Sequence, residues 1–160
     1  RQLTAALRGD PRAQVLHADG LVALPAALAA VEAATDEVVV LIDPPYTAKA
    51  EWLAVPDALI AVARRAPRVR FLLWYPVKSL TRPNALLARL ETAGVRATTV
   101  ELITTPLEQQ RNRLNGSGMV LVRPPDGVVS AVAAAAPVIG ALCATQQGWW
   151  SMRVRAWGGG

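Results

Sequence analysis

Cysteine and histidine are nearly absent: the chain holds one of each, Cys143 and His17. A single cysteine excludes an internal disulfide framework and a zinc site of the usual thiolate count. A single histidine excludes most metal-hydrolase schemes and leaves any nucleophilic triad one candidate base. Aromatics are only 5%, and charged residues at 18% fall below the roughly 25% of an average globular domain. Heptad and solenoid repeats are missing, and so is a G-x-G-x-x-G turn ahead of a helix. Hydrophobic residues reach 52%, much of it alanine, which is too apolar for intrinsic disorder. These absences leave a reduced, cytoplasm-type α/β protein whose 160 residues suffice for a single domain.

What charge there is leans one way. The net charge is +5, and 15 arginines stand against 2 lysines. Arginine pairs with phosphate through a two-pronged fork, so the excess suits a polyanion partner, although an arginine-for-lysine drift in an alanine-rich chain gives the same count. The stretch 128–144 is almost uncharged, but it is mostly alanine and contains Pro137 and Gly140. It fits a helix packed on a sheet better than a membrane span.

Periodicity predicts an alternating chain. Residues 1–8 read as the end of a helix closed by Gly9, Asp10 and Pro11, followed by a strand at 13–17 and a helix at 21–34. Residues 37–42 (Glu-Val-Val-Val-Leu-Ile) form a continuous β-branched run, the mark of a strand covered on both faces. Further helices are expected at 49–65, 83–93 and 128–145, and strands at 69–74, 95–103, 118–123 and 149–157. Such alternation implies βαβ units and a mainly parallel sheet, with chemistry beyond the carboxyl ends of the strands. Attention therefore falls on the residues just after His17, Ile42 and Trp74.

Asp43-Pro44-Pro45-Tyr46 comes directly after the buried run. Two prolines fix φ twice and remove two backbone donors, which leaves a stiff turn that presents carbonyl oxygens. A carboxylate in front and an aromatic ring behind suit an exocyclic amine on a flat base. Asp43 and the Pro44 carbonyl can each accept one N–H of the amine, and Tyr46 can stack on the ring. Holding both N–H groups off the ring plane localises the nitrogen lone pair, so orientation rather than strong basicity is required. The base must leave its stack to enter such a pocket. The competing reading is a plain Pro-rich strand-to-helix turn, with Asp43 capping the next helix and Tyr46 packed on it.

The four-residue turn resembles motif IV of the S-adenosylmethionine-dependent amino-methyltransferases. The segments Val15-Leu16-His17-Ala18-Asp19-Gly20, Leu41-Ile42-Asp43-Pro44-Pro45-Tyr46, Leu73-Trp74-Tyr75-Pro76 and Asn115-Gly116-Ser117-Gly118-Met119, in this order, are similar to the ribosomal large-subunit methyltransferase J family, which methylates adenine N6 in 23S rRNA. The resemblance implies a Rossmann-like S-adenosylmethionine-dependent methyltransferase fold over residues 1–160. It implies catalytic positions at Asp43, Pro44 and Tyr46, and cofactor contacts at Asp19, Gly20 and Asp43. On residue chemistry alone, Asp19-Gly20 reads better as an ordinary turn before a helix, with Asp19 as its cap. Tyr46, Lys78, Arg82, Arg111 and Arg113 are the expected substrate contacts, the four cations lying beside Trp74-Tyr75-Pro76 and the Asn-Gly-Ser-Gly turn. The implied partner is ribosomal RNA, acted on by a cytoplasmic monomer without a membrane or a metal.

The family's first strand, its glycine-rich turn and the acidic strand end for the cofactor's ribose have no match, so the fold is expected to be incomplete at its N-terminus. In the family's sheet order two strands then lie between 13–17 and 38–42, a gap of about 14 Å, and those two strands should not pair. On that expectation residues 1–160 are the C-terminal portion of a single methyltransferase catalytic domain, half of the cofactor site is lacking, and whether this portion is active alone stays open. Rival readings are an amino-methyltransferase for guanine N2 in rRNA or adenine in DNA, and a non-catalytic RNA-binding module. His17 as a general base, and Arg64, Arg65, Arg68 and Arg70 as an RNA contact, read better as a polar strand end and a solvated helix end. Arg123 stands where the family usually has Asn before Pro124-Pro125. Trp149, Trp150 and Trp157 are expected to pack a terminal strand.

Overall fold

The computed structural model describes residues 2–35, 37–109, 113–146 and 148–158. Five helices and five strands succeed one another as α1 (Gln2–Ala6), α2 (Gly20–Glu32), β1 (Val39–Ile42), α3 (Glu51–Arg65), β2 (Arg70–Val77), α4 (Thr81–Thr92), β3 (Ala97–Ile103), β4 (Gly116–Val122), α5 (Val128–Cys143) and β5 (Ser151–Trp157). One sheet carries all five strands in the order β1-β2-β4-β3-β5.

The sheet is less parallel than the alternation predicts. Only β1 and β2 form a parallel ladder; β2–β4, β3–β4 and β3–β5 are antiparallel. The cause is the connection from β3 to β4, which carries no helix among its described residues, so the chain reverses and inserts β4 between β2 and β3. β1, β2 and β3 still point the same way, and their carboxyl ends lie on one side of the molecule.

Residues 13–17 form no strand, against expectation. Leu16 and His17 are exposed, and no neighbouring edge offers this short run a ladder. It makes no ladder with β1 because it forms no strand at all. On the side away from β2, β1 has no partner among the described residues, and its outward positions Val39 and Leu41 are 58% and 61% exposed. An apolar run that reads as buried on both faces is here half uncovered.

The core lies where helices meet β2 and β4. Val55, Leu59, Phe71, Leu73, Tyr75, Val77, Leu90 and Val120 are fully buried. α3 and α4 are clamped by Asp57 and Arg89, which meet through two guanidinium–carboxylate hydrogen bonds. β2 runs on to Val77, past the expected stop at Trp74. Beyond Leu73 it has only β4 as a neighbour, so Pro76, which cannot donate, is tolerated there. Trp150 packs on Gly140 of α5, and Trp157 donates its indole N–H to the Val95 carbonyl at 2.7 Å, so these two tryptophans pack the terminal strand as expected. No helix is long and apolar enough to cross a membrane among the described residues.

One row crosses the sheet at a single level: Tyr75 faces Gly118, Gly118 faces Glu101, and Glu101 faces Arg153. Tyr75 donates its phenol proton to Glu101 at 2.9 Å, and Arg153 donates to the same carboxylate from the other side. The phenol lies across Gly118, where an added Cβ would overlap the ring. This explains why Trp-Tyr-Pro and Gly-Ser-Gly-Met occur together: the glycine clears a path for the tyrosine to reach a carboxylate two strands away.

Arg123 also finds its reason. It adopts φ 54, in the left-handed region, and donates to the carbonyls of Val69 (2.7 Å) and Ala66 (2.9 Å) while its guanidinium lies 5.6 Å from the Phe71 ring. It thus closes the α3–β2 connection, a task beyond the reach of asparagine. Burial pulls its pKa down. In the neighbouring basic cluster, Arg64 caps α4 through the Ala93 carbonyl (2.9 Å) and Arg70 faces Glu37 at 3.8 Å, as a helix end and the strand after it would.

Candidate active site

The carboxyl end of β1 opens into a cavity of about 490 Å³ between α2 and α3. Asp19 and Gly20 line it from one side, Asp43, Pro44 and Pro45 from the end of the strand, and Glu51 from the start of α3. Leu21, Leu24, Leu41 and Ala54 give it apolar walls. Two distant segments of sequence are thus brought to one hollow.

Asp43 is exposed and accepts no hydrogen bond among the described residues. It caps nothing: α3 begins after Ala50, without a side-chain cap. The amide that a cap at this turn would serve is instead taken by Glu51, which accepts from Ala48 N at 2.9 Å. The helix-cap reading of Asp43 therefore fails, and its carboxylate is left facing the cavity.

Asp19 does cap. Its Oδ1 accepts from the amides of Leu21 (2.9 Å) and Val22 (3.3 Å) at the start of α2. A carboxylate has about four lone-pair sites, and both bonds go to one oxygen, so capping and a ligand contact are compatible. A Cβ built on Gly20 meets nothing within 4 Å, which leaves that wall open.

Tyr46 does not offer the open stacking face expected of it; it packs on the helix that follows, as the competing reading of the turn has it. It adopts φ 50, a strained conformation for a bulky residue that costs about 1–3 kcal/mol. This turns the ring inward, where it is 6% exposed and does not line the cavity. The Trp52 ring lies 4.5 Å away at 44°, and the Trp74 ring 6.1 Å away at 55°. The Tyr46 hydroxyl and the Trp52 indole N–H are both buried without a hydrogen-bond partner. Burial first, then the carboxylates of Glu51 and Asp43, push the phenol pKa far above its ordinary value.

The candidate substrate cations gather at the same end of the sheet. Lys78 follows β2 and is exposed; its carbonyl accepts from Asn115 Nδ2 at 3.3 Å. Asn115 is fully buried, and its own N–H donates to Val77 O at 2.9 Å, so it pins the end of β2 to the start of β4. Arg113, exposed, precedes it. Arg82, near the start of α4, holds its guanidinium 5.9 Å over the Trp52 ring. Arg111 lies outside the described residues. His17, exposed, stands with Leu3, Arg8 and Val15 at a separate hollow of about 760 Å³ near α1.

Sequence reasoning misses Trp52, Glu51 and the role of Asn115. The signal for the first two is the start of α3: a helix beginning at Glu51 returns its first turn over the Asp-Pro-Pro-Tyr corner. For Asn115 the signal is a fully polar residue entering an otherwise glycine- and valine-rich strand.

Carboxylates on both sides of an apolar-walled hollow suit an adenosine group, with polar edges met by Asp19 and Asp43 and a flat ring by the leucines. The residues present fit the adenosine end of S-adenosylmethionine. They equally leave the Asp43-Pro44 edge free to accept from an amine.

The chain is similar to known proteins over most of its length. Ribosomal RNA large subunit methyltransferase J of Escherichia coli (strain K12) is 32% identical over 124 residues, 77% of this chain and 43% of the relative. The protein of the same name from Haemophilus influenzae (strain ATCC 51907 / DSM 11121 / KW20 / Rd) is 34% identical over 87 residues, 54% of this chain and 31% of the relative. The chain thus spans less than half the length of these curated relatives. Protein LPL1258 of Legionella pneumophila str. Philadelphia 1 superposes with a TM-score of 0.76 at 22% identity, over 88% of this chain and 50% of that one, which shows a shared fold. Finally, a family model described as ribosomal RNA large subunit methyltransferase D, RlmJ, matches residues 1–157, and the chain belongs to that family.

Proposed function

We propose that the chain carries the target-amine half of an S-adenosylmethionine-dependent methyltransferase that acts on adenine N6 of 23S ribosomal RNA in the cytoplasm, as a monomer. The observation that carries this reading is the uncommitted carboxylate of Asp43, set on a double-proline corner at the mouth of a cavity of about 490 Å³. Membership of the family supports the reaction class.

In this reading Asp19 and Gly20 receive an adenine edge, and Asp19 does so while holding the start of α2. S-adenosylmethionine, when bound, supplies an electrophilic methyl group. Asp43 and the Pro44 carbonyl accept the two N–H bonds of the target amine and turn its lone pair out of the ring plane. The turn's rigidity supplies orientation in advance, which is where most of the acceleration arises when no covalent intermediate is needed. The acidity of the alkylated amine makes proton loss easy once the bond has formed, so Asp43 acts as an acceptor and not as a strong base. Lys78, Arg82 and Arg113 surround the same end of the sheet and meet RNA phosphates. Arg111 belongs to the same proposal. Tyr46 gives the stacking face once its ring, 6% exposed here, is uncovered.

Methyl transfer from radiolabelled S-adenosylmethionine into unmodified 23S rRNA, followed by nucleoside mass spectrometry, tests the reading. N6-methyladenosine is expected. N2-methylguanosine, or label in DNA, transfers the assignment to a rival base. RNA binding with neither cofactor binding nor label, unrestored when the family's first strands and glycine-rich turn are supplied, indicates a non-catalytic module.

A further inference from the structure

The proposed function requires an open aromatic face on Tyr46, yet that ring is 6% exposed. A base therefore stacks there only after a neighbouring ring leaves. Two rings adjoin it. Trp74 belongs to β2, within the sheet, where its neighbours on the strand are fully buried. Trp52 is half-buried, stands in the first turn of α3, and comes after an exposed run at residues 47–50. Trp52 is the ring able to move.

We propose that Trp52 is a stand-in for the target base: its indole covers Tyr46 in the empty site and is displaced when a flipped base enters, with Arg82 coupling that displacement to the arrival of an RNA phosphate. This rests on the reading of Asp43-Pro44-Pro45-Tyr46 as a base pocket. Three observations carry it. The indole centroid lies 4.5 Å from that of the phenol ring, tilted by 44°, so the indole occupies the space beside Tyr46 that an entering base needs. The closed pair is held imperfectly, because the Tyr46 hydroxyl and the Trp52 N–H are buried without partners and Tyr46 sits at φ 50. Opening the pair returns both donors to water or to the acceptor atoms of a base. Lastly, the Arg82 guanidinium lies 5.9 Å over Trp52 while remaining exposed. A phosphate that draws Arg82 away removes the cation from the outer face of the indole and loosens the cover. Base entry is then favoured only where a phosphate backbone is present.

The test uses the full chain and two five-nucleotide RNAs: one adenosine flanked by uridines, and a twin with an abasic centre. Binding is read by fluorescence anisotropy, and the Trp52 indole N–H is followed by NMR, assigned by its loss in Trp52→Phe. Wild type should bind the adenosine RNA more tightly than the abasic one. Trp52→Ala should tighten the adenosine RNA by about two- to tenfold, the worth of one aromatic pair, and leave the abasic RNA unchanged. In wild type the indole proton should exchange faster with the adenosine RNA bound and not with its abasic twin. Base-dependent binding that Trp52→Ala weakens or leaves unchanged overturns the stand-in role alone. So does an indole that stays protected in the adenosine complex, a result that holds even where Trp52→Ala does not fold. Equal binding of both RNAs overturns the base pocket and the stand-in together.

Discussion

Gly118→Ala examines the sheet row that joins the two most specific segments of the sequence. A Cβ at this position falls inside the Tyr75 ring, against Cζ, Cε2 and the hydroxyl. The ring has nowhere to go: Tyr75 is fully buried, and its hydroxyl is tied to Glu101 at 2.9 Å. Two costs add. Overpacking a filled core costs about 1–3 kcal/mol. Pulling the phenol off a carboxylate that is itself 5% exposed loses a bond to a charged acceptor, about 1.5–3 kcal/mol. The sum is roughly 3–6 kcal/mol, against a typical total stability of about 5–15 kcal/mol. At about 2–4 °C per kcal/mol for a chain of this size, the melting temperature should fall by roughly 6–24 °C, read by circular dichroism. Tyr75→Phe, which keeps the ring and loses only the bond, should fall by about the second cost alone. A Gly118→Ala protein that melts within about 2 °C of wild type refutes the crossing of β4 by Tyr75.

Alkaline pH offers a second test, because the chain has only two tyrosines and both are buried. Burial raises both phenol pKa values above the ordinary 10.0. A raised acid pKa favours the protonated fold, so the contribution is complete below about pH 10 and is lost as pH climbs beyond it. Tyrosinate absorbance should therefore rise together with unfolding; a gradual rise in a folded protein contradicts the burial of either ring. Arg123→Ala should destabilise by about 1–3 kcal/mol in urea, and Arg123→Lys should not restore it, since one ammonium cannot reproduce the two-carbonyl fork. Equal stability of the lysine variant counts against that role.

The sequence makes local order legible where periodicity is strong. The long helices and the five strands of the sheet fall close to their expected positions, because apolar spacing and glycine or proline punctuation act within a few residues. Strand direction is not legible in the same way. β4 inserts antiparallel because of the chain that joins it to β3, and apolar content alone looks the same in either direction. Residues 13–17 carry a strand pattern but no partner, and a ladder needs both. At the candidate site, Asp43 and Asp19-Gly20 fall at one cavity as their positions after β1 and before α2 suggest. The packing of Tyr46 on the next helix is legible only as the competing reading of the turn, and its φ 50 and its partner Trp52 are reported by no motif. Arg123 is unreadable for a related reason: its partners Ala66 and Val69 are 57 and 54 residues away.

Asp43→Ala bears most directly on the mechanism. In the protein completed with the family's first strands and glycine-rich turn, with saturating S-adenosylmethionine and unmodified 23S rRNA, the single-turnover rate of methyl transfer should drop by about 10²–10⁴-fold, the worth of a positioned acceptor, while the melting temperature holds because Asp43 makes no hydrogen bond within the described fold. A variant that methylates at the wild-type rate contradicts the role given to this carboxylate.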